Sequence, residues 1–293
     1  MKGIIIKGIA GFYYVRTDNQ IYQCKARGIF KKNGITPFVG DEVIIEETDE
    51  LDGEAVINEI LPRKNSFIRP PIANVDCFVI VISIAKPKPN LIILDKFLVM
   101  AEKAHTKIII CFNKIDLDKD NRLEEIMKVY ENLYTVVKVS GYTGEGIDEL
   151  KKLLKGKKSA FAGPSGVGKS TLLNNLQEGF NVQTGEISYK TNRGKHTTRH
   201  VEIFELDFGG MIYDTPGFTS FDVLDAEEDE LHYFYPEMIS FIGQCKYDNC
   251  RHIKEPDCRI REAVDSGKIH KSRYNSYVTQ YNEIKEKRKK YYD

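Results

Sequence analysis

One stretch decides the fold of this chain: Gly163-Pro164-Ser165-Gly166-Val167-Gly168-Lys169-Ser170. It has the form G-x-x-x-x-G-K-S, in which glycines let the backbone curl so that successive N–H groups point at one oxyanion. In such a loop the lysine reaches the β- and γ-phosphates of a nucleotide, and the serine hydroxyl ligates Mg²⁺. Residues 159–162 are typical of a buried strand, and Thr171 continues into a helical pattern whose N-terminus favours phosphate. The stretch therefore predicts a phosphate-binding loop between a strand and a helix.

The segments around this loop alternate between strand and helix patterns. Three apolar runs are typical of strands buried on both faces of a sheet: 75–84, 107–112 and 134–139. Helical spacing predicts three helices that follow them: 91–105, 121–133 and 146–155. Two more strands are predicted after the loop, over 200–206 and 210–213. This succession predicts a multidomain α/β protein whose central sheet is mostly parallel, with helices on both faces.

The two ends of the chain differ from this middle part. Residues 1–62 contain only strand patterns separated by turn formers, which predicts a small closed β-barrel of the OB type. Prolines between 62 and 73 mark a boundary. From residue 225 an acidic segment leads into a cysteine and histidine cluster and then a basic helical tail. We therefore expect three domains: a barrel (1–62), a central α/β domain (63–224) and a C-terminal helical domain (225–293).

The predicted barrel has two open interpretations. Its basic side chains would contact RNA phosphates, and its aromatic rings would stack on bases. These residues are Lys25, Arg27, Lys31 and Lys32 among the basic ones, and Tyr13, Tyr14 and Phe30 among the aromatic ones. Acidic residues balance the basic ones in this region, so a spacer barrel with ordinary solvated lysines explains the pattern equally well.

Composition narrows the class of protein. The 293 residues are 41% apolar and 29% charged, with a formal net charge of zero, which is typical of a globular protein in water. No apolar run approaches the length of a membrane span, and the N-terminus lacks the layout of a signal peptide. We therefore expect a cytoplasmic protein without membrane contact, in which any nucleic-acid surface is a local basic patch.

The motif Asn113-Lys114-Ile115-Asp116 follows the second buried strand. A carboxylate at Asp116 accepts hydrogen bonds from the N1–H and the N2 amino group of guanine, whereas adenine would leave it unpaired. Asn113 would tie the neighbouring loops together, and the stem of Lys114 would lie across the base. Because ligands bind at the carboxyl ends of the strands in such sheets, the motif predicts guanine recognition.

Two other strand ends carry matching residues. Ser140 and Gly141 follow the third strand, where small residues let a backbone N–H approach the guanine O6, although a plain turn explains them almost as well. Asp214 ends the last strand and would hold Mg²⁺ through a water molecule. The N–H of Gly217 would then meet the γ-phosphate, as in Walker-B-type sites.

The polar loop between the phosphate-loop helix and the next strand, 200–206, carries the residues predicted to make the remaining nucleotide contacts. Thr197 or Thr198, of which we favour Thr198, would complete the Mg²⁺ shell with Ser170 when a γ-phosphate is present. Ras-type enzymes orient the attacking water with a glutamine just after the D-x-x-G element, but Phe218 stands there in this chain. His196 is the best replacement in reach, because an imidazole orients or deprotonates water near neutral pH. A surface histidine in a solvated basic turn remains the alternative.

Together these stretches resemble the sequence elements of Ras-like GTPases in a permuted order. The guanine-recognition elements come before the phosphate loop, and a compact sheet tolerates such a circular permutation when its original termini lie close together. The permutation leads the segment that begins at Asp214 straight into the C-terminal domain, so movement driven by the γ-phosphate should be transmitted there. The predicted contacts with GTP are Asn113 to Asp116, Ser140, Gly141, the loop from Gly163 to Thr171, Thr198, Asp214 and Gly217.

Four residues near the C-terminus predict a metal site: Cys245, Cys250, His252 and Cys258. In a reducing compartment such a cluster indicates a metal before a disulfide. Three thiolates and one imidazole suit a closed tetrahedral Zn²⁺ site, structural and one per chain, because no position is left for water. The other three cysteines lie in apolar runs and are expected to be small buried residues: Cys24, Cys77 and Cys111.

The whole combination resembles the RsgA family of small-ribosomal-subunit-dependent GTPases, also called YjeQ or YloQ. The resemblance covers essentially the whole chain: the barrel, N-K-I-D before the phosphate loop, H-T-T, D-T-P-G, and C-x4-C-x-H-x5-C. It implies a cytoplasmic, monomeric bacterial GTPase that binds GTP and GDP and joins the small ribosomal subunit, with its 16S rRNA, late in assembly. It further implies slow hydrolysis that the subunit stimulates, and a part in the release of ribosome assembly factors.

The resemblance also assigns roles to residues. It implies His196 as the catalytic histidine, acting beside Lys169, and the Cys3His cluster as the zinc ligands. Two departures affect the nucleotide site. Gly141 stands where many members carry alanine, which predicts slightly weaker nucleotide affinity, and Arg199 replaces a third threonine, which leaves the Mg²⁺ ligand open.

Two competing hypotheses remain. A GTP-gated rRNA-binding scaffold, whose hydrolysis is incidental, predicts full biological activity with Lys169→Ala or Ser170→Ala. An ATP-using enzyme is disfavoured by Asp116, and nucleotide competition distinguishes it.

Overall fold

The computed structural model of the chain describes residues 1–48, 53–68, 70–177, 201–214 and 226–292. Its strands are β1 (Lys2–Ile9), β2 (Phe12–Arg16), β3 (Ile21–Ala26), β4 (Glu42–Glu47), β5 (Glu54–Ile60), β6 (Ser66–Phe67), β7 (Ile72–Ala73), β8 (Cys77–Ser83), β9 (Lys107–Asn113), β10 (Thr135–Val139), β11 (Lys158–Ala162), β12 (Glu202–Glu205) and β13 (Met211–Asp214). Its helices are α1 (Gly28–Lys32), α2 (Leu91–Lys103), α3 (Arg122–Tyr130), α4 (Ile147–Leu154), α5 (Lys169–Leu176), α6 (Pro236–Ile239), α7 (Arg259–Asp265) and α8 (Lys271–Tyr292), with 3-10 helices at Ile115–Leu117 and Leu231–Phe234.

The first five strands form a closed barrel. β1 pairs with β2 on one edge and with β4 on the other, and β5 joins β4 to β3. The contact between β3 and β5 is parallel and the others are antiparallel. This circular order, β1-β2-β3-β5-β4, confirms the predicted OB-type barrel. Side chains that alternate along the strands fill its interior: Ile5, Val15, Cys24, Val43 and Ile57.

One expectation for the barrel is wrong. The chain between β3 and β4 is not only strand and turn, because α1 forms there and directs the ring of Phe30 into the hydrophobic core. Phe30 is 9% exposed, so its ring is not available to stack on a base. Tyr13 and Tyr14 of β2 are half-buried against the same core.

The central sheet confirms the predicted parallel architecture. Its order is β10-β9-β8-β11-β13-β12, with the first five strands parallel and β12 antiparallel to β13. Alternate residues of β8 face opposite sides. Phe78 and Ile80 pack in the cluster that holds Leu94 of α2, while Val79 packs in the cluster that holds Leu172 of α5. β12 meets β1 of the barrel, where Lys7 and Glu202 form an ion pair of 2.6 Å.

The helices after residue 226 pack on the central domain through α2. Leu231 and Tyr235 share a buried cluster with Val99 of α2. The side chain of Arg273, in α8, is fully buried and binds Asp95 of α2 at 2.5 Å. The same guanidinium binds Glu237 of α6 at 2.7 Å, so one buried charge joins three helices of two predicted domains. Among the described residues, we find no helix with the length and apolar character needed to cross a membrane.

Candidate functional site

The phosphate-binding loop lies between β11 and α5, as the sequence predicts. The backbone of Gly163 has φ 141°, and a Cβ there would lie 2.2 Å from the carbonyl oxygen of Val81. Gly168 has φ 98°, and a Cβ there would lie 2.3 Å from the side-chain nitrogen of Asn113. Positive φ and close neighbours both require glycine at these two positions. The phosphate loop therefore packs closely against β8 and against the side chain of Asn113.

Lys169 lies across the inside of this loop. Its ammonium group donates to the carbonyl oxygens of Gly163 at 2.7 Å and Pro164 at 2.8 Å. Burial lowers the pKa of the Lys169 ammonium from 10.5 to about 8, because the charged form is poorly solvated there. The phosphates of a nucleotide are stronger partners for this charge than carbonyl oxygens, so the amine is placed to transfer to them.

Asn113 joins the N-K-I-D motif to the phosphate loop, in agreement with the sequence prediction. Its side-chain nitrogen donates to the carbonyl of Val167 at 2.8 Å. Its side-chain oxygen accepts from the backbone N–H of Gly141 at 3.0 Å and of Lys114 at 2.8 Å. The residue is 1% exposed. Three loops that end three different strands are therefore held around one buried amide.

Lys114 forms a second bridge between the same loops. Its backbone is left-handed, with φ 67°, and its ammonium group donates to the carbonyl of Gly166 at 2.7 Å and to that of Lys86. Lys86 belongs to the loop after β8, which sequence reasoning did not include in the site. The stem of Lys114 thus runs along the edge of the cleft between the recognition motif and the phosphate loop.

Asp116 is oriented by Ser140. The Ser140 hydroxyl donates to one carboxylate oxygen of Asp116 at 2.5 Å, and the backbone N–H of Thr143 donates to the same hydroxyl at 3.0 Å. Ser140 is fully buried, so its hydroxyl holds the carboxylate in one orientation. The other carboxylate oxygen has no hydrogen-bond partner within the described part of the chain. This arrangement suits a carboxylate that reads the edge of a base.

Gly141 fits tightly beside the phosphate-loop helix. A Cβ at this position would lie 3.2 Å from a methyl carbon of Thr171, which favours a small residue. Its carbonyl accepts from the side chain of Asn175 of α5 at 2.8 Å. Asn175 is a second contributor that sequence reasoning missed, because an asparagine in a helix carries no signal of a partner in a distant loop.

Asp214 ends β13 at the same edge of the sheet, one strand from the phosphate loop. Burial raises the pKa of its carboxyl group, and the nearby charge of Glu202 raises it further. A bound cation would reverse this effect by favouring the ionised form. The other residues considered for this side of the site lie outside the described residues, and their roles stay predictions: His196, Thr197, Thr198, Gly217 and Phe218.

The four predicted zinc ligands meet in space. One ligand atom from each of the four residues lies within 4.8 Å of the others. The sulfurs of Cys245 and Cys258 are 3.9 Å apart, and the His252 Nδ1 lies 3.6 Å from the first and 3.4 Å from the second. A tetrahedral ion with bonds of about 2.3 Å to sulfur and about 2.0 Å to nitrogen needs ligand separations of this size. The cluster therefore fits a zinc ion held by Cys245, Cys250, His252 and Cys258.

The buried surroundings of the cluster change the pKa values of its residues in a way that favours binding of a cation. Burial raises the pKa of the Cys250 thiol to about 12, so a divalent ion is needed to hold its thiolate form. Burial, followed by the neighbouring His232, lowers the pKa of His252 to about 4, which keeps the imidazole neutral and able to ligate. The remaining three cysteines are buried and isolated, as expected: Cys24, Cys77 and Cys111.

Sequence models of two protein domains match the chain. The model described as the RsgA N-terminal domain matches residues 2–57, and the one described as RsgA GTPase matches residues 60–224. The chain is 48% identical to "Small ribosomal subunit biogenesis GTPase RsgA" of Caldanaerobacter subterraneus subsp. tengcongensis, an alignment that covers 100% of this chain and 98% of the relative. It is 45% identical to the protein of the same name from Alkaliphilus metalliredigens, over 98% and 99% of the two chains.

Solved structures agree with these matches. YjeQ from Thermotoga maritima superposes with a TM-score of 0.85 and 38% identity, over 97% of this chain and 98% of the other. The structure described as "YloQ, a circularly permuted GTPase" superposes with a TM-score of 0.81 and 36% identity, over 98% and 95%. The similarity thus extends over all three parts of the chain.

Proposed function

Because the chain belongs to the RsgA family of GTPases, and is therefore a GTP-hydrolysing enzyme with a circularly permuted order of elements, we propose that it acts in the late maturation of the small ribosomal subunit. Alone it hydrolyses GTP to GDP and phosphate slowly. Bound to the small subunit and its 16S rRNA it hydrolyses GTP faster, and the cycle helps to release ribosome assembly factors. It does so as a monomer in the cytoplasm, where that subunit is assembled.

One observation carries the proposal. The buried side chain of Asn113 bonds the loop that holds Asp116 to the loop that holds Lys169. The loop of the proposed base-reading carboxylate and the loop of the proposed phosphate-binding lysine are thereby held next to each other, which supports selective binding of a guanine nucleotide.

The proposed roles in the reaction follow from the chemistry of each side chain. Lys169 neutralises charge on the β- and γ-phosphates as it develops in the transition state. Mg²⁺, when bound with the nucleotide, would supply further positive charge at the phosphates. Ser170 and Thr198 would ligate it directly, Asp214 would hold it through water, and the Gly217 N–H would contact the γ-phosphate.

His196 is proposed to place the attacking water. A glutamine has this task in Ras-type enzymes, and the corresponding Phe218 has no group that binds water. His196→Ala should therefore abolish most of the stimulated turnover while leaving GTP affinity within about twofold. A variant that keeps stimulated turnover would remove this histidine from the mechanism.

The Cys3His cluster is proposed to hold one structural zinc ion per chain. Four protein ligands leave no coordination site for water, so the ion would stabilise the C-terminal domain and take no part in hydrolysis. Metal analysis of the purified chain should give one zinc per molecule, and Cys258→Ser should lose it. Retention of full zinc by that variant would contradict the assignment.

The decisive experiment measures GTP turnover with and without purified small ribosomal subunits at fixed salt, because phosphate contacts are salt-sensitive. We expect slow basal turnover, a large stimulation by the subunits, and competition by GDP but not ATP. Lys169→Ala is the inactive control. A wild-type rate that the subunits leave unchanged would refute the proposed stimulation. Full rRNA binding and full biological activity of Lys169→Ala would instead favour the GTP-gated scaffold.

A further inference from the structure

Two histidine rings beside the zinc cluster have ring nitrogens that need a partner. The Nδ1 of His252 faces the sulfurs of Cys245 and Cys258, while its Nε2 is buried and has no hydrogen-bond partner in the described part of the chain. The Nδ1 of His232 is also buried and, within the same ranges, without a partner. His252 is 3% exposed and His232 is 6% exposed, so bulk water does not serve either nitrogen.

These two rings are neighbours. Their centroids lie 5.2 Å apart and their planes cross at 81°. Each nitrogen of an imidazole lies about 1.2 Å from the ring centre, so two nitrogens that face each other across this separation would be about 3 Å apart, which is hydrogen-bond distance. Crossed planes allow the bond when the N–H and the lone pair both lie along the line where the two planes meet. The separation of the rings is therefore compatible with a hydrogen bond between these two nitrogens when a zinc ion holds His252.

The chemistry of the two nitrogens is complementary when a metal is bound. A neutral imidazole that ligates through Nδ1 carries its proton on Nε2, which is then a donor only. His232 with its proton on Nε2 offers the lone pair of Nδ1 as an acceptor. The hydroxyl groups of Tyr274 and Tyr277 donate to the backbone carbonyls of His252 and Arg251, so these donors are already engaged.

We propose that His232 is a positioning residue of the zinc site and accepts a hydrogen bond from the Nε2–H of the zinc ligand His252. This inference rests on the zinc assignment made above. Metal-bound histidines generally donate their second ring nitrogen to such a partner, which holds the ring in its ligating orientation and makes it a better ligand.

His232 lies in a segment of the chain that is separate from the loop of the zinc ligands. His232 lies in the 3-10 helix Leu231–Phe234, upstream of all four ligands. Leu231, next to it, packs with Val99 of α2. The hydrogen bond would therefore connect the metal centre to the segment that packs on the central domain, and not only to the loop that carries the ligands.

The test measures zinc affinity of the full-length protein by competition with a chromogenic chelator. His232→Phe keeps a ring of similar shape without an acceptor, and it should weaken zinc binding about 10- to 100-fold. His232→Gln, whose amide oxygen accepts a hydrogen bond, should restore part of the affinity. His270→Phe removes an exposed histidine of the same domain and should leave the zinc affinity unchanged. Circular dichroism of the zinc-loaded variants checks that each is folded.

A spectroscopic measurement separates positioning from packing. In the zinc-loaded wild type, long-range ¹H–¹⁵N spectra of labelled histidine should show a slowly exchanging Nε2–H on His252 and an unprotonated Nδ1 on His232. In His232→Phe the His252 proton should exchange faster. Zinc affinity of His232→Phe equal to the wild type, or a protonated Nδ1 on His232, would overturn the inference. Failure of the wild type to bind zinc at all would instead overturn the zinc assignment.

Discussion

The amide of Asn113 should hold together the three loops of the nucleotide site. Asn113→Ala removes one donor and one acceptor at the junction of three loops. It leaves the carbonyl of Val167 and the backbone N–H groups of Gly141 and Lys114 without their present partner. The change creates no new charge and deletes only a small volume, so its effect measures the hydrogen bonds themselves.

The expected magnitude follows from the burial of these partners. Val167 is 1% exposed and Gly141 is also buried, and each buried polar group left unpaired costs about 1–3 kcal/mol. We expect a combined loss of about 3 kcal/mol, shared between the free energy of unfolding and the free energy of nucleotide binding. If half of it falls on binding, the dissociation constant for GTP rises about tenfold.

Calorimetric titration with GTP and with ITP, at fixed Mg²⁺ and salt, measures the loss of binding free energy. Urea unfolding measures the loss in the free energy of unfolding. Affinity for both nucleotides should fall by the same factor, because the Asn113 amide bonds to the backbone of the three loops. Asn175→Ala is the matched control. It removes an exposed amide that bonds to Gly141 and Thr171 in the same region, and its combined loss should stay below about 1 kcal/mol.

Two results would refute this reasoning. A folded Asn113→Ala variant whose combined loss is under about 1 kcal/mol would mean that the three loops are held by other contacts. A change in the ratio of GTP to ITP affinity by more than twofold would mean that Asn113 acts on the base directly.

Three further predictions concern Asp116, Lys169 and Arg273. Asp116→Asn should lower GTP affinity about 100-fold or more and favour XTP, because an amide donor faces the amino group of guanine but pairs with the carbonyl of xanthine; equal affinity for GTP in the variant would contradict base reading by Asp116. The lowered pKa of Lys169, about 8 in the free protein, should rise when phosphates bind, so binding takes up a proton above that pH. The dissociation constant for GTP should therefore increase about threefold from pH 7.5 to 8.5. Lys169→Arg, whose charge does not titrate in this range, should show no such dependence on pH. The same pH dependence in both proteins would contradict this explanation. Arg273→Met leaves the buried carboxylates of Asp95 and Glu237 without their cation, and urea unfolding should show a loss of about 3–5 kcal/mol. The exposed Arg259, paired with Glu262, serves as its control: Arg259→Met should cost less than about 1 kcal/mol, and a similar loss for both would show that burial of the pair is unimportant.

Short motifs could be interpreted from the sequence because each one specifies its own backbone. The phosphate loop needs glycine at positive φ, and Gly163 and Gly168 have φ of 141° and 98°. The alternation of apolar runs with helical spacing was enough to predict the parallel central sheet. The count and spacing of Cys245, Cys250, His252 and Cys258 were enough to predict that they meet.

The prediction made for the ring of Phe30 from the local sequence pattern was wrong. The pattern predicts a ring available to bases, yet α1 turns Phe30 into the barrel core. A single helical turn of five residues is too short to leave a periodic signal, so sequence reasoning had no means to find it.

Residues distant in the chain were beyond prediction. Asn113 and Val167 are separated by 54 positions, and Arg273 and Asp95 by 178. Arg273 stands in a helix of mostly polar residues, where nothing marks it as fully buried. Lys86 and Asn175 likewise enter the nucleotide site only because their elements pack beside it.

The amino-acid sequence by itself determined which chemical groups this protein has for a guanine nucleotide and for a metal, and which strands and helices carry them. The tertiary structure alone decided which of these groups bond to one another. Local backbone preferences act over a few residues, whereas the pairing of Asn113 with Val167, or of Arg273 with Asp95, depends on strand order and helix packing that only the assembled fold establishes.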